Sequence, residues 1–142
     1  MKLSEEQARI RLVRQWLQKA ETDLQAAESL LSRNPPLLYP SCFFSQQAAE
    51  KSLKALLTWR KVEFPKTHVI GELLDLLASV DASLAERLAG ATALNPYSVE
   101  VRYPGDLAEP DVAEAKRAFH LARKVRDAIL RTLQSDGGWP KE

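Results

Sequence analysis

The chain has 142 residues, with twenty Lys and Arg against nineteen Asp and Glu, and a net charge of +1 excludes a global field for nucleic acid or an anionic membrane. Its length suits one domain with a core of its own, and a lone cysteine, Cys42, excludes a disulfide within the chain. The opening residues hold no apolar run of signal-peptide length and no later segment approaches the roughly 20 apolar residues of a membrane span, so a cytoplasmic protein without membrane contact is expected.

The first predicted helix runs from about Ser4 to Ser32. Ser4-Glu5-Glu6-Gln7 has the capping-box pattern, in which Ser4 and Gln7 satisfy each other's orphan backbone N–H groups. Val13, Leu17, Ala20, Leu24, Ala27 and Leu31 recur at three-four spacing and form one apolar stripe, with Trp16 at its edge. Pro35 and Pro36 end the helix, because a proline disfavours helical geometry in the residue before it.

The second, about Pro40 to Lys61, is apolar over more than half its circumference through Phe44, Ala48, Ala49, Leu53, Ala55, Leu56, Leu57 and Trp59. Such a helix belongs at the centre of a bundle. Its remaining arc carries Phe43, Gln46, Gln47, Glu50, Lys51, Lys54 and Lys61, with Glu50 and Lys54 in the favourable i,i+4 order. That arc is either a solvated stripe or a surface turned toward a cleft or a second subunit.

After Phe64-Pro65-Lys66-Thr67-His68, a third helix starts with Thr67 as its N-cap and runs through Leu73, Leu74, Leu76 and Leu77 to about Val80. Asp81 caps a short fourth, Leu84 to Ala93, closed by Asn95-Pro96. Tyr103-Pro104-Gly105-Asp106 reads as a type II turn in the longest loop of the chain. The last helix, about Pro110 to Gln134, buries Val112, Ala115, Phe119, Ala122, Val125, Ile129 and Leu133 and shows Arg117, His120, Lys124, Asp127 and Arg131 on its other face. Residues 136–142 form a short tail that opens on Asp136-Gly137-Gly138 and is read as a frayed end. Residues 1–135 thus make an all-α, up-and-down bundle of about five helices, two or three of them long and antiparallel.

Enzyme chemistry has little to work with in this inventory. There is no Gly-rich phosphate loop and no helical pair of histidines or Glu-x-x-His, so neither a cofactor nor a metal site is expected. Cys42 has no histidine near it in sequence and its apolar flanks raise its pKa, which makes it a structural thiol.

Four stretches, Asp23 to Leu31, Cys42 to Leu57, Phe64 to His68 and Arg102 to Asp106, come in an order and spacing that resembles the HEPN family of small helical domains. The resemblance spans nearly the whole chain. It implies an up-and-down helical bundle that forms a homodimer and is partnered by a minimal nucleotidyltransferase in a two-component system of toxin–antitoxin character; other members bind nucleotides or cleave RNA. The ribonuclease branch looks for an arginine separated from a histidine by four to six residues. Here the positions before His120 are Ala113, Glu114 and Ala115, and those before His68 are Lys61, Val62 and Glu63. The expectation is therefore a nucleotide- or RNA-binding component that is not catalytic by itself.

The residues expected to contact a phosphate-bearing ligand are Lys51, Lys54, Lys66, His68, Arg102 and Tyr103. Lys66 and His68 stand where a helix N-terminus attracts anions, the alternative being a cap and a loop-bonded histidine. Arg102 and Tyr103 supply a charge fork and a ring for stacking, the alternative being a turn packed over the bundle end. The Arg117, His120, Lys124 and Arg131 row is a solvated face or a nucleic-acid surface. Two rival functions stand beside this one: a metal-independent ribonuclease with an atypical site using His68 or His120, and a structural adaptor that docks another protein.

Overall fold

Residues 2–99, 103–105 and 108–141 are described by the structure, a computed structural model. Three long helices, α1 (Glu5–Ser32), α2 (Leu38–Trp59) and α5 (Val112–Ser135), are joined by the short α3 (Ile70–Ala78), α4 (Ala82–Arg87) and a 3₁₀ segment (Ala89–Tyr97). No strand occurs among the described residues, and no helix there is long and apolar enough to cross a membrane.

The capping box forms as its residues dictate. Gln7 N–H donates to Ser4 Oγ at 3.1 Å and Ser4 N–H to Gln7 Oε1 at 3.0 Å. Replacing Ser4 with alanine is expected to lower stability by about 0.5–1 kcal/mol and to speed amide exchange in the first turn, measured by urea unfolding and hydrogen exchange. An unchanged first turn would show that the box is not what starts the helix.

α2 is the centre, as its apolar circumference requires. Fifteen of its 22 residues are buried, against five of 28 in α1, because α1, α5, α3 and the 3₁₀ segment all pack on it. Contacts between α1 and α2 rise in number on one as they fall on the other: Ser41 Oγ donates to Ala27 O at 2.7 Å, Lys51 pairs with Asp23, and the Arg9 guanidinium covers the Trp59 ring. These helices are antiparallel. α5 runs parallel to α2, since Tyr97, stacked edge-on against Tyr39 of α2, bonds Glu114 near the start of α5, while Trp59 bonds Asp136 just past its end. The chain can enter α5 in that sense because α3, α4 and the 3₁₀ segment carry it back along the bundle.

Two boundaries differ from the sequence expectation. Thr67 does not cap α3; its Oγ1 accepts from Val69 N–H at 3.1 Å in a local turn, and the helix begins at Ile70, whose N–H donates to Asn95 Oδ1 at 3.0 Å. The fourth segment leaves α geometry after Arg87 and continues as 3₁₀ through Pro96 rather than stopping at it, a tighter winding common at helix ends. Asp81 and Asp111 cap α4 and α5 through the Leu84 and Glu114 N–H groups. Gly105 has φ +93°, the backbone that the third position of a type II turn demands.

The tail is packed down. Trp139 meets Trp59 edge-on at 5.1 Å between centroids and Trp59 Nε1–H donates to Asp136 Oδ2 at 2.9 Å, which ties residues 136–139 to the C-terminal end of α2.

Candidate functional site: a buried carboxylate behind an exposed histidine

The centre of the polar arc, Gln46, Glu50 and Lys54, is buried, while Phe43, Gln47 and Lys51 at its margin are partly exposed and Lys61 is exposed. Gln46 is fully buried, and the side chains of Glu50 and Lys54 are only 3% and 8% exposed, enclosed by α1 on one side and by the Phe64–His68 turn on the other. Trp16 and Phe64 meet edge-on at 6.2 Å, and the Lys54 ammonium lies 5.5 and 5.8 Å from their ring centres. Buried charge of this kind is tolerated only when paired.

Glu50 supplies the pairing. Its Oε2 accepts from Lys54 Nζ at 3.0 Å and its Oε1 faces His68 Nδ1 at 2.9 Å. Gln46 Nε2 reaches the His68 carbonyl at 2.9 Å and Glu50 Oε1 at 3.4 Å, and Gln47 Nε2 donates to Gln46 Oε1 at 2.7 Å. An ionised carboxylate only accepts, so the proton between Glu50 and His68 belongs to Nδ1. This fixes the imidazole with Nε2 outward, and the His68 side chain is 67% exposed. A polar relay inside the fold therefore presents one oriented imidazole at the surface.

Of the expected ligand contacts, Lys66 and His68 are exposed on the turn, and Tyr103 is 73% exposed. Lys54 is committed to Glu50 and Lys51 to Asp23, which is itself buried. Arg102 lies outside the described residues. The N-terminus of α3 is less open to an anion than the sequence suggests, since Val69 and Ile70 N–H already have partners in Thr67 and Asn95.

The long loop and the Phe64–His68 turn come to one edge of α2. The Tyr39 hydroxyl donates to Val99 O, and Gln46, two helical turns further along the same face, holds the His68 carbonyl, a spacing of roughly 10 Å. Asn95 links the same two regions through Ile70. Phe43, between Tyr39 and Gln46 on that face, is half-buried and stacks edge-on with Phe44 at 5.3 Å.

The remaining candidates stand apart. His120 is exposed on α5, with Nδ1 2.9 Å from Arg123 Nη2, and Arg117, Lys124 and Arg131 are exposed beside it. Cys42 is fully buried; burial first, then the charges of Glu114 and Glu109, push its pKa up to about 12, so the thiol is inert at neutral pH. Burial and the bond to Glu114 likewise push the Tyr97 hydroxyl well above its ordinary range. No group of three or more His, Cys, Asp and Glu able to hold a metal occurs among the described residues.

Asp23, Asn95 and Trp16 belong to this site without a sequence signal for it, and Phe64 enters the sequence reading only as a member of the 64–68 turn. Asp23 stands beside Leu24 on α1, where a buried carboxylate gives no periodic signal of its own, and Asn95 acts across 25 residues.

The profile of the HEPN domain matches residues 13–133. The crystal structure of TT1696 from Thermus thermophilus superposes with a TM-score of 0.66 at 30% sequence identity, covering 84% of this chain and 96% of that one. That of ST0689, an archaeal HEPN homologue, superposes with a TM-score of 0.64 at 26% identity over the same shares. No curated protein matches the chain. With the profile spanning most of its length and both solved structures covered almost end to end, the chain belongs to the HEPN domain family.

Proposed function

We propose that this protein is the nucleotide- or RNA-binding component of a two-component, toxin–antitoxin-like system, acting as a homodimer with a nucleotidyltransferase partner and not catalytic by itself. The observation that carries the binding surface is the Glu50–His68 contact: a buried carboxylate holds an exposed imidazole beside the exposed Lys66, and Val99, four residues before Tyr103, is held to the same edge of α2 by Tyr39. Lys66 and His68 meet the phosphate, Arg102 adds charge and Tyr103 a ring for a base. Lys51 and Lys54 stand behind that surface, and each reaches an anion only by exchanging Asp23 or Glu50 for it.

The test is a titration with adenosine 5′-monophosphate and with a short single-stranded RNA. Lys66→Ala and His68→Gln are each expected to weaken binding about five- to tenfold while Lys66→Ala leaves the melting temperature nearly unchanged, since its side chain is exposed. A collapse in melting temperature for Lys66→Ala would make the position structural, and a wild type that binds neither probe would sink the reading. Native mass spectrometry of the protein purified gently from its host should show the nucleotidyltransferase bound; a bare homodimer would remove that half of the proposal.

One observation favours a second reading. A histidine whose Nδ1 is held by a buried carboxylate is arranged as a general base, so a ribonuclease with an atypical site would use His68 rather than His120, whose Nδ1 faces Arg123 instead of a carboxylate. Cleavage of RNA by the pure protein, lost in His68→Gln and kept in His120→Gln, would establish it.

A further inference from the structure

On the face of α1 opposite Trp16 and the Glu50 relay, a half-open cleft of about 640 Å³ separates the first half of α1 from the C-terminal end of α5. The tail roofs it. Leu17, Leu130 and Leu133 form an apolar floor, Trp139 and Pro140 one wall, and Arg14 and Lys141 stand at the rim. The volume is in the range that small-molecule sites occupy, and the lining is amphipathic, with Gln18, Glu21 and Gln134 beside these apolar groups.

The charge at the rim is one-sided. Arg14 lies over the Trp139 ring at 5.7 Å, which orients its guanidinium, and Arg11 is its neighbour one turn back on the same helix. Among the described residues no carboxylate is in ion-pair contact with either arginine. Glu21, the one carboxylate lining the cleft, pairs with Arg126, which Asp127 shares at 2.7 Å, so the positive charge is concentrated at the Arg14 and Lys141 end. Lys141 Nζ donates to Gln134 O at 2.7 Å and keeps its charge unpaired among these groups. A slot with an apolar floor and two cations, Arg14 and Lys141, in its lining fits a molecule with an apolar body and a single anionic head.

We propose that this cleft is a binding site for a small amphiphilic anion, with Arg14 holding the carboxylate, sulfonate or phosphate head and Leu17, Leu130, Leu133 and Trp139 the apolar body. The site is separate from the His68 surface and stands or falls independently of the function proposed there. A matched pair of probes tests it: 8-anilinonaphthalene-1-sulfonate and N-phenyl-1-naphthylamine share one ring system and differ in the sulfonate. The sulfonate is expected to bind about tenfold more tightly than the amine, and Arg14→Gln to erase that difference with a melting temperature lowered by only about 2–3 °C, because Arg14 is exposed and gives up only its stacking on Trp139. Leu130→Trp, which fills a half-buried floor position, should abolish both. Equal binding of the two probes, or sulfonate binding that survives Arg14→Gln and Leu130→Trp, would overturn the proposal, as would the absence of sulfonate binding to the wild type.

Discussion

Replacing Glu50 with alanine is expected to cost about 3–5 kcal/mol of stability, a large share of what a single domain commonly has. The loss comes less from the missing bonds than from what they leave behind. Lys54 is 8% exposed, with Trp16 and Phe64 as its other neighbours, and without Glu50 its ammonium is a buried charge that ring faces compensate only in part. His68 would lose the partner of Nδ1, and Gln46 one of its two acceptors. Urea unfolding should show the fall, with a melting temperature lower by on the order of 10 °C. The converse is equally specific: Glu50→Gln combined with Lys54→Met removes both charges and should recover most of the loss, because an apolar chain of similar length fits between the same rings. A single Glu50→Ala variant within about 1 kcal/mol of wild type would mean that water reaches Lys54, and that the relay does not hold the Phe64–His68 turn.

Sequence periodicity read the long helices well because their job is periodic. The stripes on α1 and α5 are buried where three-four spacing puts them except at Val112, which is exposed in the first turn of α5, and at Leu17 and Leu31, which are half-buried, and the near-complete apolar ring of α2 places it at the centre. Errors gathered where a tertiary partner overrides a local rule. Thr67 has the right chemistry for an N-cap, yet its hydroxyl captures Val69 N–H while Asn95, 25 residues away, satisfies Ile70. Asn95-Pro96 looks like a terminator, yet the 3₁₀ winding runs through it. The parallel course of α2 and α5 follows from the route of the short helices between them, which no stripe on either long helix encodes.

The site was legible in pieces. The i,i+4 order of Glu50 and Lys54 gave the ion pair, and the turn residues Lys66 and His68 were singled out for their chemistry. What the sequence left open was where the polar arc faces, and both readings there assumed an outer surface. Gln46, Glu50 and Lys54 are inside, because Trp16 and Phe64 close over Lys54 and the 64–68 turn covers Glu50, while Phe43, Gln47 and Lys51 keep part of the arc at the surface. A polar stripe on an otherwise apolar helix carries no mark of the carboxylate or carbonyl that will meet it from another element, so the Glu50–His68 contact, 18 residues apart, had no local signal.

Replacing Trp139 with alanine is expected to cost about 2–3 kcal/mol, less than a fully buried tryptophan because its ring is only partly enclosed. The ring is one layer of a stack in which Arg14 covers Trp139, Trp139 meets Trp59 edge-on and Arg9 covers Trp59. Asp136 ties the base of the tail through Trp59 Nε1–H and Gly138 N–H, and these bonds, the Trp59 bond foremost, hold its carboxyl below the usual aspartate range. The sign follows from that direction. A depressed folded-state pKa gives stability that is present above the unfolded aspartate value and is lost as pH falls through the folded one. Tryptophan emission should therefore shift to the red in acid as the tail lifts from α2, before the helical signal is lost. Asp136→Asn keeps one acceptor oxygen, sets an NH2 that cannot accept in place of the other and has no proton to gain, so it should abolish that early acid shift, with the neutral-pH emission already moved part of the way to the red. A red shift that persists in Asp136→Asn would place the acid-sensitive group elsewhere in the bundle.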